Sequence, residues 1–231
     1  GESINDAIYG VPHEGVVQIM PGTHLIDSPI DLQGRALTLR AGGASGSVIV
    51  DGQGVSAGIQ CASGETSRTL VYGLTIQNCI GTTGAGMLCD GSSPNIVMCI
   101  FTGNTASQGG GIACRNGAAP SLIDCEITGN DASGSDGGGV WVSSAEITMI
   151  ACDVSANTAD DDGGGIYLSS ATANLHEINV AGNTANANGG GLFGYASTVT
   201  MTNAIVENNF AASDGSNATD GGGGISMDGG D

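Results

Sequence analysis

The stretch FTGNTASQGGGI, residues 101–112, decides the fold, because close copies of it return three times further along the chain. Each copy has an apolar residue, an asparagine three places later, and a run of three glycines followed by an aliphatic residue. The later copies span residues 127–140, 154–166 and 180–192. A repeat this regular indicates a single elongated unit in which copies of one motif stack on one another.

The asparagines give the length of the repeat. Their successive intervals are 26, 26, 27, 26 and 26 residues. The series is Asn78, Asn104, Asn130, Asn157, Asn183 and Asn209. We expect this column to lie at a bend, where each amide bonds backbone groups and the asparagines of neighbouring copies. The glycine runs are expected to provide positive φ angles or tight corners.

Each copy contains two short runs that can be interpreted as strands with a period of two. One follows the glycines, as in Val140–Val142, and the other precedes the asparagine, as in Cys152–Val154. No helix-length segment lies between them, which excludes βαβ units. The sequence therefore predicts an all-β fold, a right-handed parallel β-helix with coils of about 26 residues stacked about 4.8 Å apart.

The repeat places aliphatic residues in two columns that should face the core. The first column is Ile59, Met87, Ile112, Val140, Ile166, Leu192 and Ile225. The second is Phe101, Ile127, Val154, Val180 and Val206. Similar strand-like runs upstream are Val16–Ile19, Ala36–Leu39, Ser47–Val50 and Leu74–Ile76.

We expect one domain over residues 1–231, with an N-terminal cap at 1–15 and coils at 16–231. Ser3 is the expected N-cap of a short amphipathic helix that ends near Tyr9. The chain stops soon after Asp228, inside a new repeat, so we expect a C-terminal end that is uncapped or truncated. Exposed strand edges of that kind favour end-to-end self-association.

The charge balance excludes two classes of partner. The formal net charge is −19, with four arginines and no lysine. Such a chain has almost nothing with which to neutralise phosphate, so neither nucleic acid nor an anionic membrane is an expected partner. No run of 18 apolar residues occurs, so no membrane span is expected.

Six of the seven cysteines fall into two columns of the repeat, and Cys79 stands alone. The columns are Cys61, Cys89 and Cys114, and Cys99, Cys125 and Cys152. Three interpretations stay open: a stack of small buried thiols, one or two disulfides between coils, or metal binding. Because seven is odd, at least one thiol is free or bonded between chains.

The pairing of GGG-aliphatic with FTGN, ITGN, VSAN and VAGN resembles the GGA-aliphatic and F-x-x-N repeats of polymorphic outer-membrane proteins. The resemblance covers nearly the whole chain and extends to right-handed β-helix proteins of bacterial surfaces. It implies a secreted or surface-exposed domain. It is a weak guide to function, because lyases, adhesins and tailspikes share the scaffold.

The outward position of the strand after the glycines carries the main candidate binding residues. Trp141, Tyr167 and Phe193 occupy it in three successive copies of a chain with only 3% aromatic residues. We expect an exposed aromatic strip that binds an extracellular glycan or a surface protein. The alternative is that a loop covers the rings, or that their stacking only stabilises an edge.

Acidic residues form a second candidate site. The predicted metal ligands, on the outward side near the second strand, are Asp124, Glu126, Asp153 and Glu177. Acidic turns add Asp136, Asp160, Asp161, Asp162, Asp214 and Asp220. Oxygen clusters of this kind can hold Ca²⁺, although no EF-hand loop is present and a solvated acidic face is the alternative. No other cofactor is indicated.

The sequence favours a non-catalytic extracellular module for adhesion, matrix or glycan binding. No lysine is available as the base of a lyase, and His176 falls on a different face from Asp160–Asp162, so no catalytic residue is assigned. The alternatives are a polysaccharide-active lyase or hydrolase and a self-assembling filament subunit.

Overall fold

The computed structural model describes residues 3–212 and 222–229. They form a parallel β-solenoid of about eight turns, each of about 26 residues, so the predicted all-β fold and coil length are confirmed. Each full turn visits four parallel sheets, named sheets 1 to 4 in the order in which the chain reaches them. Asp214 and Asp220 lie outside the described residues.

The strands of each sheet are in register with those of the coils above and below. Sheet 1 contains Val16–Ile19, Thr38–Ala41, Leu70–Tyr72, Asn95–Val97, Ser121–Ile123, Glu146–Ile150, Thr172–His176 and Thr198–Thr202. Sheet 2 contains Gly22–Leu25, Val48–Asp51, Thr75–Gln77, Ile100–Thr102, Glu126–Thr128, Asp153–Ser155, Asn179–Ala181 and Ile205–Glu207. Sheet 3 contains Ile80–Thr83, Thr105–Gln108, Asp131–Ala132, Thr158–Ala159, Thr184–Ala185 and Phe210–Ala211. Sheet 4 contains Ile30–Asp31, Ile59–Cys61, Met87–Asp90, Ile112–Arg115, Val140–Ser143, Ile166–Ser169, Leu192–Tyr195 and Ile225–Asp228.

The two predicted aliphatic columns face the interior, as expected. The column that begins at Ile59 runs through sheet 4 in register and is buried up to Leu192, while Ile225 is 43% exposed. The column from Phe101 to Val180 in sheet 2 is fully buried. Both columns alternate with outward-facing positions, as the period of two predicts.

A short helix, Ile4–Gly10, precedes the coils. Ser3 is its N-cap, and a capping box joins the Ser3 side chain and backbone to Asp6. Ile8 is fully buried in the core, and Arg35 donates to the carbonyl oxygens of Ile8 and Val11. The predicted N-terminal cap helix is therefore confirmed.

The asparagine column forms a hydrogen-bonded ladder between sheets 2 and 3. Asn104, Asn130, Asn157 and Asn183 are buried, and the Nδ2 of each donates to the Oδ1 of the next asparagine at 3.0, 3.0, 3.0 and 2.9 Å. The last acceptor is Asn209. Each Nδ2 also donates to a backbone carbonyl of the preceding coil, so the ladder joins the coils of these four asparagines to both neighbours.

The assignment of Asn78 to this ladder is wrong. Asn78 is exposed and has a φ of 50°, whereas the backbone N–H of Cys79 donates to Asn104 Oδ1. Cys79 therefore occupies the ladder position of its coil, and Asn78 aligns with Gly103 in the left-handed turn before it. The sequence contained a signal for this, because no apolar residue lies three places before Asn78.

The glycine runs have two distinct roles. The first glycine has a positive φ, 69° at Gly137 and 63° at Gly163. The second and third lie where backbones of adjacent coils approach, so that a Cβ added at Gly138 would be 2.2 Å from the oxygen of Thr158. Glycine is required at the first position for conformation and at the other two for space.

Candidate functional site

The three predicted aromatic residues lie on one face of sheet 4, in adjacent coils. Trp141 pairs in register with Tyr167, and Tyr167 with Phe193. The Tyr167 and Phe193 rings are stacked, with centroids 5.7 Å apart and planes 18° apart. The sequence correctly predicted this juxtaposition, and these three residues are called the aromatic column below.

The expectation that these rings are exposed is wrong. Phe193 is 8% exposed, and Trp141 and Tyr167 are half-buried. In the turn that enters sheet 4, the first glycine lies against the base of the outward residue. At Gly137, an added Cβ would be 2.9 Å from Trp141 Cβ. The aromatic column is therefore recessed beside the glycine turn.

Three of the aspartates that the sequence assigned to acidic turns come together near this turn. The carboxylates of Asp136, Asp161 and Asp162 offer oxygen atoms that all lie within 4.8 Å of one another. Asp136 and Asp162 each immediately precede a glycine run in adjacent coils, while Asp161 is exposed. The recurring polar residue before the glycines, which is Asn188 in the next coil, was the available sequence signal. We call these three aspartates the acidic trio.

Hydrogen bonds between coils hold part of the acidic trio in place. Asp136 Oδ1 accepts from the backbone N–H of Asp162 at 3.1 Å, and Ser135 donates its hydroxyl to Asp136 Oδ2 at 2.9 Å. Asp162 Oδ1 accepts from the backbone N–H and the Nδ2 of Asn188 at 2.8 and 2.9 Å. Two of the three carboxylates are thus parts of a second polar ladder.

The electrostatics couple the acidic trio to the aromatic column. Burial, and then the charges of Asp161 and Asp162, raise the pKa of Asp136, although its hydrogen bonds oppose the shift. Burial, together with the charges of Asp136 and Asp162, raises the pKa of Tyr167 to about 12. The carboxylates therefore lie close enough to Tyr167 to disfavour its phenolate.

The raised pKa of Asp136 predicts that Asp136→Asn raises the melting temperature at pH 7. Because the folded state raises the pKa of Asp136 above its ordinary value of 3.8, the protonated carboxyl group contributes stability to the folded state, in full at pH values below 3.8. This contribution is lost as pH rises through the folded value. The neutral amide keeps an acceptor for Asp162 and removes the repulsion. Thermal melts should show the gain at pH 7 and little difference at pH 3.

The exposed Asp27 offers a matched control for this prediction. Asp27→Asn should leave the melting temperature almost unchanged at both pH values. An Asp136→Asn variant that melts at or below the wild-type temperature at pH 7 would contradict the assignment of repulsion to the acidic trio.

The four predicted metal ligands do not form a cluster like the acidic trio. Asp124 and Glu177 are exposed in left-handed turns, and Glu126 pairs in register with Asp153. Asp153 is bonded to Asn179 at 2.8 Å and to Ser155. Within residues 3–212 and 222–229, one group of three or more acidic, histidine or cysteine side chains lies close enough to share an ion, and it is the acidic trio. The four predicted ligands are not part of that group.

The arginines and His176 make their contacts with other groups. Arg115 forms an ion pair with Asp90 at 2.8 Å, Arg68 with Glu14, and Arg40 bonds Gln18 at 2.6 Å. His176 Nε2 is 3.2 Å from Glu177. In the part of the chain that the structure describes, no arginine forms an ion pair with the acidic trio.

All seven cysteines are buried and free. This agrees with the interpretation as a stack of thiols and gives no disulfide in either column. Cys99, Cys125 and Cys152 each direct the sulfur to a carbonyl oxygen two residues earlier, at 3.4 Å. Burial raises the pKa of Cys79 to about 12, which makes its thiol unreactive at neutral pH.

The family described as the right-handed beta helix region matches residues 45–231. This is most of the chain, so the protein belongs to that family of β-helix repeat proteins. Comparison with curated proteins finds no match, and comparison with solved structures finds none. Among the described residues, there is no helix with the length and apolar character needed to cross a membrane.

Proposed function

We propose that this protein is a non-catalytic extracellular β-helix module, secreted or held at a cell surface, that binds glycans or partner surfaces. The observation that carries the proposal is the aromatic column beside the acidic trio. Aromatic faces pack against the apolar face of a sugar ring, and carboxylates accept hydrogen bonds from sugar hydroxyls. The resemblance to polymorphic outer-membrane protein repeats supports the surface location.

Trp141 supplies a second argument for a ligand at this place. Its Nε1 atom is buried and, among the residues that the structure describes, has no hydrogen-bond acceptor. A buried donor without a partner is costly and is uncommon in folded proteins. A ligand oxygen that reached the indole N–H would remove this cost, so binding would gain from a group that folding leaves unsatisfied.

The charge of the site sets the class of ligand. The acidic trio borders the aromatic column, and the whole chain carries a formal net charge of −19. An anionic polysaccharide would be repelled unless a divalent cation lay between the charges. Neutral glycans are therefore the favoured ligands, and polyuronates are expected to require Ca²⁺.

The test is a glycan array and a polyuronate screen of the purified chain, run with Ca²⁺ and again with EDTA. We expect binding without turnover, and a loss of about 10-fold or more in affinity when Trp141 and Tyr167 are both replaced by alanine, because stacked anchors dominate such interfaces. Circular dichroism and melting curves of the variant establish that it is folded.

Tyr195 offers a matched control. It lies on the same strand as Phe193, two residues further on, and is 51% exposed. Tyr195→Ala should leave binding unchanged, while Tyr167→Phe should retain the ring stack and most of the affinity. Unchanged binding by the Trp141 and Tyr167 double variant would remove the aromatic column from the proposal.

The acidic trio favours a polysaccharide-active enzyme as the second candidate. A carboxyl group with a raised pKa beside other carboxyl groups is an arrangement that suits a general acid. In the same screen, new reducing ends or unsaturated products would support this candidate. The turnover should then disappear in Asp136→Asn, and binding without products would exclude catalysis on the glycans tested.

A further inference from the structure

The column of Cys61, Cys89 and Cys114 is a sealed row of thiols in sheet 4. Cys89 pairs in register with Cys61 on one side and with Cys114 on the other, and all three are 0% exposed. The next residue in the column is Val142, which is also buried. The row is therefore closed by an apolar residue on that side.

The two cysteine columns differ in what their sulfur atoms contact. In the column of Cys99, Cys125 and Cys152, every thiol has backbone carbonyl oxygens at 3.4–3.7 Å. In the other column, Cys89 lies in register between Cys61 and Cys114, so its thiol is next to the thiols of both neighbouring coils. Among the described residues, no backbone bond to these three thiols is found, so their sulfur atoms remain available to one another.

The spacing of the row fits a linear metal ion better than a disulfide. Neighbouring parallel strands lie about 4.8 Å apart, whereas the Cβ atoms of a disulfide lie about 3.8 Å apart. Two metal–thiolate bonds of about 2.3 Å each, placed in line, span about 4.6 Å. An ion between adjacent cysteines would need little movement of the strands, and a disulfide would need them to draw together.

We propose that Cys89, together with Cys61 or Cys114, forms a two-coordinate site for a soft monovalent metal ion, with Cu(I) as the best match. Thiolates select soft ions of this kind. Zinc is disfavoured because it requires four ligands around a tetrahedron and the row offers three sulfur atoms in a line. When the ion enters, two thiol protons leave to solvent, two copper–sulfur bonds form, and no electron is transferred.

The experiment uses the full chain, reduced and kept anaerobic, incubated with Cu(I) in competition with a chromophoric Cu(I) chelator. We expect one ion per chain, a raised melting temperature, and an X-ray absorption spectrum in which copper has two sulfur neighbours and no nitrogen or oxygen neighbour. Cys89→Ala should weaken binding by about 100-fold or more, because the remaining cysteines of the row are two strands apart, at about 9–10 Å.

Matched variants separate the site from general thiol chemistry. Cys125→Ala removes a buried thiol from the other column and should bind Cu(I) like the wild type. Cys61→Ala and Cys114→Ala should each retain one ion, and the double variant should lose it while keeping Cys89. No binding by the wild type, or equal losses in Cys125→Ala and Cys89→Ala, would overturn the proposal. If Cys89→Ala does not fold, the double variant decides.

Discussion

Asn157→Ala is expected to lower the free energy of unfolding by about 3–5 kcal/mol, because several buried polar groups lose their partners at about 1–3 kcal/mol each. Asn157 Oδ1 accepts from the backbone N–H and the Nδ2 of Asn130, at 2.9 and 3.0 Å. Its Nδ2 donates to the Ile127 oxygen and to Asn183 Oδ1, at 2.9 and 3.0 Å. Alanine replaces none of these four bonds, and water does not reach this position. Urea denaturation gives the measurement.

Asn174→Ala is the control for this variant. Asn174 lies on sheet 1, is only half-buried and donates to Glu146 at 3.1 Å. A single bond of this kind at the surface contributes about 1 kcal/mol or less. Equal losses in the two variants would show that burial of the ladder adds nothing, and that the asparagines do not hold the coils together.

Gly138→Ala is expected to lower the free energy of unfolding at least as much as Asn157→Ala does, because of steric overlap and not because of lost hydrogen bonds. Its Cβ would lie 2.2 Å from the Thr158 oxygen and 2.5 Å from the Gly164 oxygen, and both are backbone atoms of the next coil. Backbone atoms cannot rotate away as the end of a flexible side chain can, so the two coils would have to separate locally. We expect a loss of about 4 kcal/mol or more, or failure to fold, measured by urea denaturation and by the soluble yield.

Gly134→Ala provides the comparison within the same turn. The nearest atom to its added Cβ is 3.8 Å away, on Ser107, and its φ is not in the left-handed region. Alanine should be neutral there, or stabilising by about 0.4–1 kcal/mol, since it restricts the unfolded chain. If Gly138→Ala behaved in the same way, the close approach of adjacent coils could not be the reason for the glycine run.

The fold was predictable because two independent marks repeat at one period, and both restrict the backbone directly. The asparagines and glycines gave the coil length and the register of sheets 2 and 4. Only two strands were predicted in each regular copy, so the sheet 1 strands of those copies were missed. Sheet 3 was not predicted either, because strands such as Asp131–Ala132 have two residues and too little alternation to detect. Asn78 misled the alignment because an asparagine suits a left-handed turn as well as the ladder.

The candidate site was predictable only in part. A period of two shows that Trp141, Tyr167 and Phe193 share a face, but it does not show how closely a neighbouring turn covers that face. The acidic trio depends on turns of unequal length, since Gly109 comes five positions after Asn104 and Gly137 comes seven positions after Asn130. Such differences decide which carboxylates of adjacent coils meet, and a column alignment does not contain them.

The asparagine ladder gives the molecule a direction. Between asparagines, every side-chain amide donates to the one in the coil that follows and accepts from the one in the coil before, so these bonds run in one direction along the axis and polarise one another. Because each rung needs only the coil above and the coil below, the ladder has no preferred number of rungs. Gain or loss of one whole coil leaves every remaining bond in place, whereas a shift of a few residues breaks the series. Duplication of a single repeat can therefore lengthen the solenoid along its axis without altering its cross-section.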